Sequence, residues 1–214
     1  YVAGMYAMGY SADEVIAKTQ DLDWSRGYQD KASREALSLR KKQQEDEFQL
    51  QADIGLKQGR LTLPEGVYQG QGLAALLRDA TSNLPVQRSF DDLPIPYRAV
   101  ATDMETFDAV ALDHGNLAQA MQASMSIPGA LRPVELDGRL LADGGIVNNL
   151  PVDVARQMGA DIIIAVDISA QLKTRKQLDS ALGMIDQLTT YMTRSGTARQ
   201  LALMHERDIL LTPE

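Results

Sequence analysis

A chain of 214 residues with 44% hydrophobic and 23% charged positions has the length and composition of a soluble globular protein with one good hydrophobic core. Its net charge of −8 argues against nucleic acid as a partner, because a phosphate-tracking surface needs clustered Lys and Arg, and no apolar run approaches the roughly 18–20 residues that cross a bilayer. The absence of cysteine excludes disulfides, thiolate metal sites and a cysteine nucleophile, and the two histidines argue against a histidine-rich metal site.

The opening string "YVAGMYAMG" is apolar nearly all round and predicts a buried helix, without an N-cap before it. Native chains seldom begin inside a core helix, which predicts that an N-terminal part precedes Tyr1. Ser11 and Glu14 form a capping box for a second helix through about Thr19. Residues 24–60 are polar, charge-dense and weakly periodic, a surface excursion of loop and frayed helix. Within it Arg40, Lys41 and Lys42 make the one compact basic patch. They read either as a solvated helix face or as a contact for anionic lipid headgroups.

Further on, residues 71–80 predict an amphipathic helix with Leu73, Leu76 and Leu77 on one face. The run Tyr97–Ala101 predicts a buried strand, followed by a hairpin through Glu105–Thr106 to "AVALD". His114 falls in the turn "LDHGN", where a solvent-exposed place is expected. Asn116 caps a helix whose apolar positions are Leu117, Ala120, Met121 and Met125, and Pro128 and Gly129 stop it. Those methionines read as core filler.

The best-defined unit follows. A strand over Arg139–Ala142 ends at Asp143, and the loop "GGIVNN" leads to a helix with Pro151 in its first turn and Gly159 at its close. The continuous β-branched run "DIIIAVDIS" predicts a strand covered on both faces. Strand, helix and strand together predict a parallel βαβ crossover. The chain ends in a helix with a core-facing stripe at Leu182, Ile185, Leu188 and Met192, then the strand-like "DILLT".

In open α/β sheets, reactive groups gather beyond the carboxyl ends of strands, where Asp143 is expected. Gly144 and Gly145 can take positive φ and let backbone or substrate approach without meeting a Cβ. Asn148 and Asn149 offer side-chain hydrogen bonds at the entrance to the next helix. An Asp-Gly-Gly turn is most often only a turn. Asp103, Asp143 and Asp167, all expected at strand ends, also keep open a Mg²⁺-dependent phosphotransferase.

The segment from "ASMSIPGALRPVELDGRLLADGGIVNNLP" through "VDVARQMGADIIIAVDIS" resembles the C-terminal half of bacterial patatin-like phospholipases. "LPIPYRAVATDMETFDAVAL" and "GVYQGQGLAALLRDA" are similar to that family's strand–turn–strand segment and the helix before it. "YVAGMYAMGYSADEV" resembles the helix that leaves its nucleophile elbow, and "RQLALMHERDILLTPE" resembles the patatin domains of type V-secreted phospholipases. The likeness is weakest across residues 24–60. It implies a three-layer αβα fold with a mostly parallel central sheet, of which residues 1–214 form the C-terminal portion of one catalytic domain. It also implies hydrolysis of phospholipid or other acyl esters by a Ser–Asp dyad, with no cofactor or metal and with Asp143 as general base. A secreted or cell-surface location follows from the same likeness, with a cytoplasmic one as the alternative.

The family's Gly-x-Ser-x-Gly elbow occurs nowhere in residues 1–214. "GYSAD" carries Asp13 where the second glycine belongs, and Ser124 and Ser126 read as structural. The resemblance therefore places the serine and the glycine-rich oxyanion loop upstream of Tyr1, and the stretch 1–214 taken alone is expected to be inactive. A sheet lacking its elbow strand has an exposed edge, so a homodimer or association with the missing segment is expected. A third reading is a non-catalytic patatin-like module that binds lipid surfaces.

Overall fold

The computed structural model describes residues 1–27, 55–57, 60–62, 70–128, 130–169 and 181–213. Helix α1 (Val2–Ala7) buries Gly4, Met5 and Ala7 but leaves Val2 and Tyr6 about half exposed. The expectation of an all-round buried helix holds for one face only among the described residues. That face presses so closely on the helix at 117–125 that a Cβ at Gly4 would lie 2.7 Å from the Met121 sulfur. Helix α2 (Ala12–Asp21) starts on the predicted capping box: Ser11 Oγ accepts the Glu14 N–H at 3.4 Å, and Glu14 Oε2 accepts the Ser11 N–H at 2.8 Å. A single helical turn, α3 (Trp24–Gly27), sets the Trp24 ring edge-on against Tyr1 at 5.0 Å. In the predicted excursion, strands β1 (Gly55–Lys57) and β2 (Arg60–Thr62) pair antiparallel, which its polar composition did not announce. Arg40, Lys41 and Lys42 lie outside the described residues.

Helix α4 (Gln71–Ala80) buries Leu73 and Leu77, with Leu76 half-buried, as its periodicity predicts. Strand β3 (Ala99–Asp103) is buried at every position and turns back into β4 (Ala109–Leu112) with Thr102 opposite Ala109. The predicted hairpin is present, its first strand two residues later than expected. Helix α5 (Leu117–Met125) begins on Asn116, whose Oδ1 accepts the Gln119 N–H at 3.1 Å. Strands β5 (Val134–Leu136) and β6 (Arg139–Asp143) form a second hairpin. Its two turn residues, Asp137 and Gly138, both have positive φ, 50° and 72°, as a type I′ turn requires. Around this sheet Phe90, Leu73, Leu77, Leu117, Met121, Leu131 and Leu141 are at most 1% exposed. Each contributes roughly 1.5–3 kcal/mol of burial.

The strand order is β4-β3-β6-β5 and every pairing in this sheet is antiparallel. The α/β character stands, but the mostly parallel central sheet expected from the sequence does not. Short turns at 104–108 and 137–138 force antiparallel neighbours, and β6 has β3 on one side and β5 on the other. β5 covers Arg139–Leu141 on one side of β6 and β3 covers Leu141–Asp143 on the other, and the strand expected beside β6 pairs elsewhere. After β6 come two short helices, α6 (Gly145–Asn148) and α7 (Val152–Gln157), with Pro151 at the N-cap of the second. Strand β7 (Ile164–Val166) pairs parallel with β8 (Ile209–Leu211) instead of with β6. Ile164 and Val166 are exposed while Ala165 is buried, so the predicted cover on both faces is not met among the described residues. Between β7 and β8 runs α8 (Ala181–Leu201). Leu188 on this helix is 61% exposed, which corrects the predicted aliphatic stripe at that position. The side chains of Leu182 and Ile185 lie outside the described residues.

Asp208 ties the β7–β8 unit to α7. Its carboxylate accepts the N–H groups of His205 (2.7 Å) and Ile163 (2.9 Å) and pairs with Arg156. The His205 and Ile163 N–H groups, then Arg156, hold its pKa below the usual carboxylate value. A depressed folded-state pKa gives stability that is present above the unfolded value and lost as pH falls through the folded one. Asp208→Asn is therefore expected to melt earlier than the parent at neutral pH, the gap closing in acid. A melting series from pH 7 to pH 2 checks this, and a gap independent of pH would contradict it.

Candidate functional site

Asp143 closes β6 and is held at three points. Its N–H donates to the Ser126 carbonyl at 2.9 Å, and its own carbonyl accepts the Thr102 hydroxyl at 2.7 Å. Its carboxylate Oδ1 accepts the Gly145 N–H at 2.8 Å. Among the described residues Oδ2 has no hydrogen bond. Burial raises the Asp143 pKa above the ordinary carboxylate value, and the Gly145 N–H opposes this in part. Among the described residues no charged neighbour enters the balance. The outcome is a carboxylate with one oxygen fixed, the other available, and a greater appetite for a proton than an exposed aspartate has.

The two glycines matter for space rather than for φ. Gly144 has φ −64° and neither glycine takes a positive value, which corrects that part of the expectation. A Cβ at Gly144 would lie 2.2 Å from the Val100 carbonyl oxygen of β3. A Cβ at Gly145 would lie 3.1 Å from Asn149 Oδ1 and 3.2 Å from Asp143 Oδ1. Gly144 provides the close backbone approach expected of this pair, whereas Gly145 faces only side-chain atoms.

Asn148 is buried, with Nδ2 donating to Asp153 Oδ1 at 2.9 Å and Oδ1 without a partner among the described residues. Asn149 lies beside Gly145, its Nδ2 reaching Ser169 Oγ at 3.4 Å. The structure thus brings Asp143, Gly144, Gly145, Asn148 and Asn149 into one compact turn. Sequence reasoning missed Thr102 and Asp153. Thr102 acts across 41 positions with no local mark. Asp153 had one, an acid in the first turn of a helix.

The three strand-end aspartates share a local habit, each accepting the N–H two residues on: Asp103 from Glu105 at 2.9 Å, Asp143 from Gly145, and Asp167 from Ser169 at 2.9 Å. They do not form a cluster. Asp103 stands opposite Leu141 rather than Asp143, and Asp167 belongs to the β7 sheet. Among the described residues no three acidic, His or Cys side chains converge on a metal position, so the Mg²⁺ phosphotransferase gains no site. His114 is exposed, as expected, with Nδ1 2.6 Å from Asp113, which raises its pKa. Ser126 is buried and donates to the Gln122 carbonyl, and Ser11 is engaged in its capping box. Among the described residues no hydroxyl reaches the Asp143 carboxylate.

Residues 1–156 match the family model described as patatin-like phospholipase. Among curated proteins, the chain is 38% identical over 117 residues to mouse patatin-like phospholipase domain-containing protein 7, covering 53% of this chain and 8% of that protein. It is 42% identical over 89 residues to human patatin-like phospholipase domain-containing protein 6, covering 41% of this chain and 6% of that protein. An uncharacterised NTE family protein of Mycobacterium bovis is 39% identical over 104 residues, covering 49% and 28%. The chain therefore spans less than a third of the length of these relatives.

Proposed function

The chain belongs to the patatin-like phospholipase family, and from that premise we propose that it is the base-bearing portion of a lipid acyl hydrolase acting on glycerophospholipid esters. Asp143 is the general base, and a serine from the chain preceding Tyr1 is the nucleophile. The single observation carrying this reading is the Asp143 carboxylate, with Oδ1 held by Gly145, Oδ2 unbonded among the described residues, and burial raising its pKa. A serine hydroxyl is a weak nucleophile until a positioned base takes its proton. A carboxylate serves better near neutral pH as its pKa rises toward the operating range.

In the proposed reaction the serine Oγ bonds to the ester carbonyl carbon while its proton passes to Asp143. The tetrahedral intermediate then breaks its bond to the glycerol oxygen, which takes the proton from Asp143. Water repeats both steps on the acyl-serine and releases a fatty acid. Asn148 and Asn149 support the turn that carries the base, and Arg40, Lys41 and Lys42 contact anionic headgroups. Residues 1–214 are the C-terminal portion of one catalytic domain. Among the described residues no helix is long and apolar enough to cross a membrane. The resemblance of the closing segment to type V-secreted enzymes supports a secreted or cell-surface location.

The test uses the full-length protein containing this chain, phosphatidylcholine vesicles, a short-chain nitrophenyl ester and a fluorophosphonate probe. Hydrolysis of both esters is expected, unaffected by EDTA and blocked by the probe, with the labelled serine mapping outside residues 1–214. Activity that EDTA abolishes and Mg²⁺ restores would favour phosphotransfer-type metal chemistry. Vesicle binding without hydrolysis would leave only the non-catalytic module.

A further inference from the structure

The match to the family model ends at residue 156, yet the turn carrying Asp143 is attached to an element well beyond it. Helix α8 meets that turn directly at Gly196 and reaches it through Ser169 and Asp153 from Thr197 and Gln200. A Cβ at Gly196 would lie 2.8 Å from the Val147 carbonyl oxygen, so the helix backbone lies directly on α6. Thr197 is buried, and its hydroxyl lies 3.3 Å from Ser169 Oγ, which in turn takes Asn149 Nδ2. Gln200 Oε1 accepts the Asp153 N–H at 3.0 Å, and Asp153 Oδ1 takes both Asn148 Nδ2 and the Val154 N–H. Gln200 neighbours both Gly196 (i, i+4) and Thr197 (i, i+3) on the helix surface, so the three line one side of about 100°.

The polarity of these bonds is set by their partners. A backbone N–H needs an acceptor, so Gln200 must present its carbonyl oxygen, and Asn148 must present its amide nitrogen to the Asp153 carboxylate. Two chains of hydrogen bonds therefore run from α8 to the two asparagines, one through the Ser169 hydroxyl and one through the Asp153 backbone N–H and carboxylate, and the asparagines follow Asp143 by five and six residues. Helix α6 has only four residues and cannot hold its own geometry, since isolated short helices are marginal in water.

We infer that the Gly196–Thr197–Gln200 face of α8 is a brace that sets the orientation of Asp143, making Thr197 and Gln200 positioning residues that touch no substrate. The inference rests on the proposed role of Asp143. A carboxylate displaced by about 1 Å can lose roughly 10²-fold in rate, so a loosened brace changes kcat before it changes substrate binding. It also lets water reach the turn, and since burial alone raises the Asp143 pKa, that pKa moves back toward the ordinary value.

The experiment compares the full-length protein with Gln200→Ala, Gln200→Glu and the near-isosteric Thr197→Val, using the short-chain ester across pH and amide hydrogen exchange. Gln200→Ala and Thr197→Val are expected to lower kcat by about 10-fold or more, with KM within about two-fold. The acidic limb of the pH profile should move to lower pH, and Gly145, whose N–H binds Asp143, should exchange faster while the β3–β4 hairpin keeps its protection. Gln200→Glu, which retains an acceptor for the Asp153 N–H, should recover most of the activity. If melting temperature falls while kcat, the pH profile and Gly145 exchange all stay at parent values, α8 is a packing element and the brace is refuted. A full-length parent that hydrolyses no ester refutes the proposed function instead, and Gly145 exchange still decides whether the brace exists.

Discussion

Replacing Asp143 by Asn in the full-length protein is expected to lower ester hydrolysis by about 10²–10⁴-fold, the range for loss of a positioned general base, while leaving the fold intact or more stable. Asn has nearly the shape of Asp and keeps an oxygen for the Gly145 N–H, but it cannot take a proton from a serine. The stability half follows from linkage. Burial raises the folded-state pKa of Asp143, so the folded chain binds this proton more tightly than the unfolded chain does. The contribution is therefore fully present below the unfolded value and lost as pH rises through the folded one. At neutral pH the ionised, partly buried carboxylate weighs against folding, and Asn removes that charge. Melting curves should place the Asp143→Asn variant above or level with the parent at pH 7, with the advantage disappearing in acid. A site residue whose removal stabilises the fold is the usual sign of a group kept for chemistry. Retention of parental kcat in this variant would remove Asp143 from the mechanism.

The features legible in the sequence are those whose cause lies within a few residues. The Ser11–Glu14 capping box and the Asn116 cap form where their local chemistry says they should, and the β3–β4 hairpin forms with its first strand two residues later. The Asp137-Gly138 hairpin was equally local, an Asp-Gly pair between apolar runs. The βαβ reading passed over it, although a strand already paired through so tight a turn has one edge taken. Which strand fills the other edge depends on residues far away, and here it is β3, with Ala101 opposite Asp143. The parallel crossover failed for that reason. The same distance hid half of the candidate site. Asp143 and its glycines stand out as a string, but Thr102 lies 41 positions before the carbonyl it holds, and Gln200 lies 47 positions after the N–H it accepts. Helix α1 shows the complementary limit: apolar composition did not tell its packed face, with Gly4 and Met5, from the face carrying the half-exposed Val2 and Tyr6.

The largest stability loss is expected from Gly144→Ala, and the contrast with its neighbour explains why. At φ −64° and ψ −23° an alanine would sit at position 144 without backbone strain, so conformational freedom is not the issue. The new methyl would fall 2.2 Å from the Val100 carbonyl oxygen and 2.6 Å from its carbon. Both belong to a strand buried at every position. Relief requires β3 and the Asp143 turn to separate, which strains the Thr102 hydroxyl bond and opens the sheet. Overpacking of this kind costs about 1–3 kcal/mol and sometimes more, and a displaced turn carries the base out of line as well. At Gly145 the added methyl meets the Asn149 amide at 3.1 Å and the Asp143 carboxylate at 3.2 Å, both side-chain atoms that can give way by a few tenths of an ångström. Gly145→Ala should therefore unfold close to the parent while losing activity, because the atom that yields is the base or its neighbour. Urea unfolding of the two variants, read as midpoints with unchanged slope, separates these effects. Equal midpoints for Gly144→Ala and Gly145→Ala would mean that β3 does not lie against the turn, and that the support inferred for Asp143 from Val100 and Thr102 is mistaken.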